Sequence, residues 1–486
     1  MKKIAFPIIF ILLAGWLSAA DDPFDCFTIV VGKDASADGS VLLAHNEDDY
    51  GRLLVNVHKV PPQEHRHGDV FLMKSGAALP QVAFTPGLLW LEIPESDFAD
   101  SYVNEYGVAL TSNACPSRED KPELSEGGIG FSLRRLVAER AKTAREGVRI
   151  AGELIARYGY NSSGRAYVIT DPGEGWLLHA VKGKHWVARR VPDNEVAVIA
   201  NRYSITGVRL EDAENFLGSP DIIDYAVSRG WYDPQKDGDF DFARVYSDRG
   251  SYADMRNVMR QWRGTDLLAA KSFKLDAPLP FAFKPHRDIR LLDLFRVLRD
   301  HYEGTKHDAS DRYRNGSPNN DRNRTICTES TQYAFVAQLR GWLPAEIAHV
   351  VWIAGRRPDS NAFSPWYVSM ARVPDGSSRE TADMAWKDHF IPLPAQALED
   401  ASLSFNTYAR LSDTVDHQYR ARIDKTQKVW RNFEDFLFGD LEDHEKEFTY
   451  LLKNNRGLAR NIIDNYMHGL EYRKWFLAAE LLREFR

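Results

Sequence analysis

The chain has 486 residues, 44% of them hydrophobic and 27% charged, with 12 Trp, 20 Tyr and 25 Phe. That composition excludes a disordered or collagen-like chain, and the length, about three times a domain of roughly 150 residues, allows a large core without fixing a domain count. A formal charge of −7 gives no reason to expect nucleic-acid binding, and three cysteines are too few for a disulfide scaffold.

Lys2 and Lys3 precede an apolar run over residues 4–17, and Ser18, Ala19 and Ala20 follow before Asp21. This charged, apolar, small-residue order predicts a secretory signal peptide over residues 1–20. The run is shorter than the roughly 20 residues a spanning helix needs, so the expectation is an exported protein with no membrane association after cleavage. Cleavage after Ala20 leaves residues 21–25 as a short stub ahead of Cys26. Lipidation wants small apolar residues before the cysteine, and Pro23-Phe24-Asp25 does not supply them.

Residues 26–32 and 40–45 are short, β-branched apolar runs around a turn from Lys33 to Gly39, a hairpin signal. Further strand-like runs follow at 55–60, 70–73 and 88–93, and 102–104 with 108–111 flank Glu105-Tyr106-Gly107 as another hairpin. A helix is expected over 131–141, and a second begins at the capping pair Thr143/Glu146 and ends at Gly159. Runs at 166–170, 175–181, 185–191 and 196–200 then read as an antiparallel meander. Residues 210–300 are mixed and mostly helical, with a good helix over 291–302. Residues 303–323 form a long polar loop of a kind that is often functional. Strand character returns at 325–339 and 349–355, and the chain beyond 393 is charged and helical, including 429–438 and 475–485. Strands, then helices, then strands suggest one α+β domain over residues 26–393 and a helical C-terminal region over 394–486.

Cys26 stands at the head of the first strand. A thiol attacks only as thiolate, so a cysteine with a free pKa of about 8.5 needs a base or a lowered pKa. A cysteine that is the first residue brings its own base, because its α-amine, with a pKa of about 7.7–8.0, accepts a proton near neutrality. Removal of the stub would make Cys26 such a residue. On position alone, a small buried cysteine at a strand start fits equally well.

The segment CFTIVVGKDASADGSVLLAHNEDD, from Cys26, resembles the start of the N-terminal-nucleophile cysteine dipeptidases of the dipeptidase A and secernin type. The likeness continues in VNEYGVALTSNA (residues 103–114), in residues 144–201 and in RTICTESTQYAFVAQLRGWLP (residues 324–344). The resemblance implies a four-layer αββα sandwich of antiparallel sheets, extended by C-terminal helices, that hydrolyses dipeptides or short peptides without metal or organic cofactor. Cys26 would be nucleophile and, through its amine, base. The wider superfamily, which includes penicillin acylases and bile-salt hydrolases, places an Arg and an Asp on the second strand, where this chain reads Ala44-His45-Asn46-Glu47-Asp48. Asp48 matches the Asp and is expected to hydrogen-bond the α-amine or thiol. His45 stands where many relatives have Arg, with a charge that would depend on pH. Asn201 matches the oxyanion-hole Asn, and Asn113 is the candidate second donor. Arg324 is the candidate arginine near the nucleophile or clamp for a carboxylate. Glu47, beside Asp48, is expected to meet a substrate's free amine. Without the resemblance, the acidic cluster reads as a solvated strand end and both asparagines as turn residues.

Two alternatives stay open: an acylase of non-peptide amides such as a penicillin or bile-salt conjugate, and a non-catalytic secreted binding protein of the same fold. A homo-oligomer also stays open. His65-Arg66-His67 lies in a loop without partner ligands at useful spacing. Gly127-Gly128-Ile129-Gly130 lacks the GK[ST] of a phosphate loop and reads as a lead-in to a helix. Cys115 and Cys327 could pair in an oxidising compartment. Trp430, Phe433, Phe436 and Phe438 read as helix packing.

Overall fold

The computed structural model describes residues 26–319 and 324–486. The signal-peptide and stub expectations, and residues 320–323 of the polar loop, lie outside them. Strands β1 (Phe27–Val31) and β2 (Val41–Asp48) form the expected hairpin, with Thr28 opposite His45. An eight-stranded antiparallel sheet comprises β3 (Asn56–Val60), β4 (Leu88–Glu92), β5 (Ser101–Asn104), β6 (Ala109–Ala114), β7 (Tyr160–Thr170), β8 (Gly175–Gly183), β9 (Trp186–Val191) and β11 (Phe216–Gly218). Its order is β11-β9-β8-β7-β6-β5-β4-β3. The six-stranded antiparallel sheet adds β10 (Val196–Ile199), β12 (Thr331–Leu339), β13 (His349–Gly355) and β14 (Ser364–Tyr367) to the hairpin, in the order β10-β1-β2-β12-β13-β14.

The meander holds for β7, β8 and β9, but its expected fourth strand leaves the sheet. β10 crosses over and pairs with β1, Thr28 opposite Ile199. The turn between β9 and β10 is tied to the hairpin, since Gly32 N–H donates to Glu195 O (3.0 Å) and Asp34 N–H to Asp193 O (2.8 Å). Period-two alternation marks a strand but is silent on which sheet it joins.

Helices α1 (Ser132–Ala138) and α2 (Ala144–Tyr158) cover one face of the eight-stranded sheet, where Leu133, Leu136, Val148 and Ile155 pack with Ile169 and Trp186. Thr143 caps α2 by accepting from Glu146 N–H (3.2 Å). Glu146 in turn accepts from Lys142 rather than Thr143, so half of the capping box forms. Gly159 ends the helix at φ 78°. The opposite face of this sheet, with Ala166, Val168 and Leu177, shares one apolar core with β1 and β2. The sheets meet closely there: a Cβ on Gly175 would lie 2.6 Å from Val30 Cγ1.

On the other side of β1, Gly264 of α3 (Met255–Leu268) lies against Phe27 and Val198. Helix α4 (Leu291–Leu298) rests on β2 and β12. It is shorter than the expected 291–302, and β12 begins at Thr331 rather than 325, so the loop between them is longer than expected. Helices α5 (Ser404–His417), α6 (Tyr419–Asn454) and α7 (Arg456–Glu484) complete the chain. Phe438 stacks on Trp352 with ring centroids 5.2 Å apart, and Arg340 pairs with Glu445 at 2.6 Å. Trp430, Phe433 and Leu437 are buried in the core that includes the sheets. No disulfide joins Cys115 and Cys327, which sit in different surroundings, Cys115 near Ala200 O and Cys327 near Asn319. Among the described residues, no helix is long and apolar enough to cross a membrane.

Candidate active site

Cys26 immediately precedes β1 and is fully buried. Side chains alternate along a strand, so His45 and Glu47 share one face of β2 while Asn46 and Asp48 share the other. Through His45 and Glu47 the hairpin closes a continuous ring of hydrogen bonds on Cys26. Asn113 Nδ2, from β6 of the facing sheet, donates to Cys26 O (2.8 Å), and Thr28 Oγ1 donates to Asn113 Oδ1 (2.7 Å). Thr28 has then spent its proton, so His45 Nδ1 (2.8 Å away) must donate to it. A neutral imidazole has one N–H, which leaves Nε2 as acceptor for Glu47 Oε2 at 2.9 Å. Glu47 must therefore carry a proton on Oε2, and its Oε1 accepts from the Cys26 thiol (3.1 Å).

The electrostatics agree with this chain of protons. Burial, with Arg134 next, holds His45 down at a pKa of about 3, so the imidazole is neutral across the physiological range. The expectation that its charge would follow pH is corrected: no water reaches the ring to solvate a cation. Burial raises Glu47 well above the carboxylate range, which keeps it protonated. Burial first, with the Asp48 charge adding to it, pushes the Cys26 thiol well up, while Arg165 pulls it the other way. The resting thiol is thus protonated and needs a base.

A second group of residues meets the same carbonyl. Arg260 of α3 donates to Cys26 O (3.3 Å), to Asn201 Oδ1 (3.1 Å) and to Asn257 Oδ1 (2.7 Å). Asn257 Nδ2 donates to Asn201 O (3.1 Å). The β1–β10 register, continued two residues past the pair Thr28–Ile199, sets Asn201 opposite Cys26. With its Oδ1 taken by Arg260, the buried Asn201 Nδ2 points elsewhere and has no hydrogen-bond partner. A buried amide donor left unmade costs free energy unless a ligand takes it.

The structure brings Cys26, His45, Glu47, Asn113 and Asn201 together. Asp48, expected to bond the thiol or amine through its side chain, meets the thiol through its main-chain carbonyl (3.9 Å); its Oδ1 accepts from Thr331 on β12 (2.5 Å). Glu47, expected to face a substrate amine, has both oxygens taken up inside the ring. Alternation puts Asp48 on the face of β2 opposite Glu47, from where its charge still acts on the thiol. Arg324 lies at the end of the polar loop, where its carbonyl accepts from Tyr302 and its charge acts on Asp254, the N-cap of α3. The arginine that reaches the nucleophile's carbonyl is Arg260. Asn257 and Arg260 sit three residues apart on the buried face of α3, and no motif in the sequence marks them.

A family model described as Peptidase family C69 matches residues 25–417. The chain belongs to peptidase family C69. This agrees with the resemblance seen in the sequence and makes the protein a hydrolase of the cysteine-peptidase class. Among curated relatives of this C69 peptidase, a "Probable dipeptidase" of Latilactobacillus sakei is 27% identical over 369 residues, which are 73% of this chain and 76% of that one. "Dipeptidase A" of Lactobacillus helveticus is 26% identical over 83% of this chain and 87% of its own. Among solved structures, penicillin V acylase from Agrobacterium tumefaciens aligns over 70% of this chain and 84% of its own, at 15% identity and a TM-score of 0.35. A conjugated bile acid hydrolase from Clostridium perfringens aligns over 70% of this chain and 92% of its own, at 12% identity and a TM-score of 0.38.

Ligand-type atoms of Cys26, His45 and Glu47 lie within 4.8 Å of one another, close enough to share an ion. Each is already paired within the ring, and those hydrogen bonds account for the spacing. On the far side of Arg165, whose guanidinium lies 4.2 Å from the Phe98 ring centroid, Phe98 lines a cleft with Lys74, Asp97 and Gly127–Gly130. Gly127 and Gly128, at φ 80° and 76°, make the turn that shapes this wall and leads into α1.

Proposed function

We propose that this C69 peptidase is an exported dipeptidase whose nucleophile, Cys26, becomes the first residue by removal of residues 1–25, on the αββα layering of N-terminal-nucleophile hydrolases. The observation that carries the reading is the juxtaposition of a buried thiol at a strand head with the unpartnered Nδ2 of Asn201. The dipeptidase names of the relatives support the substrate class.

In the proposed reaction the α-amine of Cys26 takes the thiol proton, and Sγ attacks the scissile carbonyl carbon. Asn201 Nδ2 donates to the oxyanion, an interaction whose loss typically costs about 10²–10³ in rate. The C–N bond breaks as the ammonium returns its proton to the leaving amine. Water, deprotonated by the amine, then attacks the thioester and releases the acid and the thiol. Asn113 and Arg260 hold the Cys26 carbonyl while the other end of the residue reacts. Because the resting thiol is protonated, kcat/KM rises with pH as the α-amine loses its proton, at about 7.7–8.0.

Intact mass and N-terminal sequencing of the purified active protein test the reading. The expected first residue is Cys26; full activity in a chain beginning at Asp21 would overturn the mechanism. Cys26→Ala abolishes dipeptide turnover and leaves the circular dichroism spectrum unchanged. A panel of dipeptides and N-acyl amides separates peptidase from acylase, and a preference for the acylated compounds would replace the substrate assignment.

A further inference from the structure

A second cluster of ligand-type side chains lies apart from the Cys26 ring, where the polar loop meets the C-terminal helices. Ligand atoms of His301, Cys327 and Asp359 lie within 4.8 Å of one another, and all three residues are buried. They come from three separate stretches: just after α4, just before β12 and just after β13.

His301 is held as a metal-binding imidazole is held. Its Nδ1 lies 3.0 Å from Glu303 Oε1 and donates there, and its Nε2 turns into the cluster, 3.6 Å from Asp359 Oδ2 and 3.0 Å from Asn319 Oδ1. A carboxylate on the far nitrogen fixes the tautomer and raises the basicity of the other. Asp359 Oδ2 accepts from Asn319 Nδ2 and Tyr419 OH, both at 2.9 Å. Asp359 Oδ1, in a residue only 1% exposed, has no hydrogen-bond partner. Against burial, His301 and the buried Arg357 already face this carboxylate with positive charge and hold its pKa down, yet Oδ1 is still left without a hydrogen bond. The Cys327 thiol lies 4.0 Å from Asn319 Oδ1 and also interacts with His301 and with the main chain of Asp359. In the Cys26 ring every such atom is taken; here a carboxylate oxygen is left over.

We infer that His301, Cys327 and Asp359 form a binding site for a divalent transition metal, zinc being the ion that fits, with Asn319 Oδ1 at hand as a fourth ligand. Imidazole nitrogen, thiolate sulfur and carboxylate oxygen are the donors zinc takes, and four protein ligands in a buried setting describe a structural rather than a catalytic site. Binding displaces the thiol proton of Cys327 and the proton of His301 to solvent. The metal would join the polar loop to the start of α6, where Tyr419 already bonds Asp359. It would also steady Asp300, next to His301, which clamps Arg263 of α3 through two hydrogen bonds of 2.8 and 2.6 Å.

Cobalt(II) titration of the processed full-length protein, stripped with chelator, tests the site. The expected result is a thiolate-to-cobalt charge-transfer band with tetrahedral d–d bands, saturating at a single equivalent and bleached by zinc. Cys327→Ser loses the charge-transfer band, and Cys26→Ala keeps it. Glu303→Gln keeps the band but binds zinc roughly 10–100-fold more weakly. Zinc raises the Tm of the native protein and not that of Cys327→Ser. No band in the native protein, or a band that survives Cys327→Ser and vanishes in Cys26→Ala, would overturn the assignment.

Discussion

The proton on Glu47 links the direction of every hydrogen bond around Cys26 to the state of the thiol. A glutamine is the near-isostere of a protonated glutamate: its Oε1 can accept from the thiol and its Nε2 can donate to His45 Nε2. Glu47→Gln should therefore keep dipeptide kcat/KM within about tenfold of the native value, whereas loss of a charge-assisted partner would cost far more. Steady-state kinetics decide it, and a fall of 10²–10³ would mean that Glu47 acts as an anion. At this scale much of the site was legible. Cys26, Asn113 and Asn201 sit at or near strand ends and within the segments that carry the family likeness. Arg260 was hidden, because it meets Cys26 across 234 residues of chain, in a helix with no motif around it. Arg134 and Arg165, whose charges act on the ring, were hidden in the same way: a buried arginine leaves no periodic trace.

At the scale of elements, strands of the inner faces are buried on both sides, so alternation between apolar and polar residues fades. β8 is an example. Its His179 points into the shared core against Tyr203 and Phe242, and neither ring nitrogen has a hydrogen-bond partner. Burial holds its pKa at about 3, against an ordinary value of about 6.5. Between those values the unfolded chain binds a proton that the folded one refuses. The associated stability is present above about pH 6.5 and is lost as pH falls toward 3. His45, also at about 3, and His349, at about 4, act in the same sense. His179→Phe keeps the aromatic packing and removes one of the three. It should raise stability by about 1–3 kcal/mol near pH 8, where only the unpaired nitrogens matter, and by more near pH 5. Thermal melts at the two pH values check this; an unchanged Tm near pH 5 would show that the ring does have a partner. The capping of α2 by Thr143 and the first hairpin were readable because both are local. The destination of β10 was not, because strand pairing is a long-range choice.

At the scale of the molecule, the C-terminal helices share the core of the sheets, and the site is assembled from both sheets and from α3. Asn113 comes from the eight-stranded sheet, while Asn201 follows β10 in the six-stranded one. The chain passes between these sheets through the turn at residues 192–195, and that turn lies against Gly32, where a Cβ would fall within 2.5 Å of Pro192 O. Gly32→Ala must push the turn away from the hairpin. Its expected signature is a loss of kcat well beyond any change in KM, in a protein whose circular dichroism stays native; kinetics equal to the native protein would refute it. The same contact governs how the chain can drift. A residue inserted or deleted in this turn slips β10 by one step and sends Asn201 to the other side of the sheet. The turn therefore behaves as a spacer, and its length rather than its chemistry decides whether the thiol has an oxyanion donor.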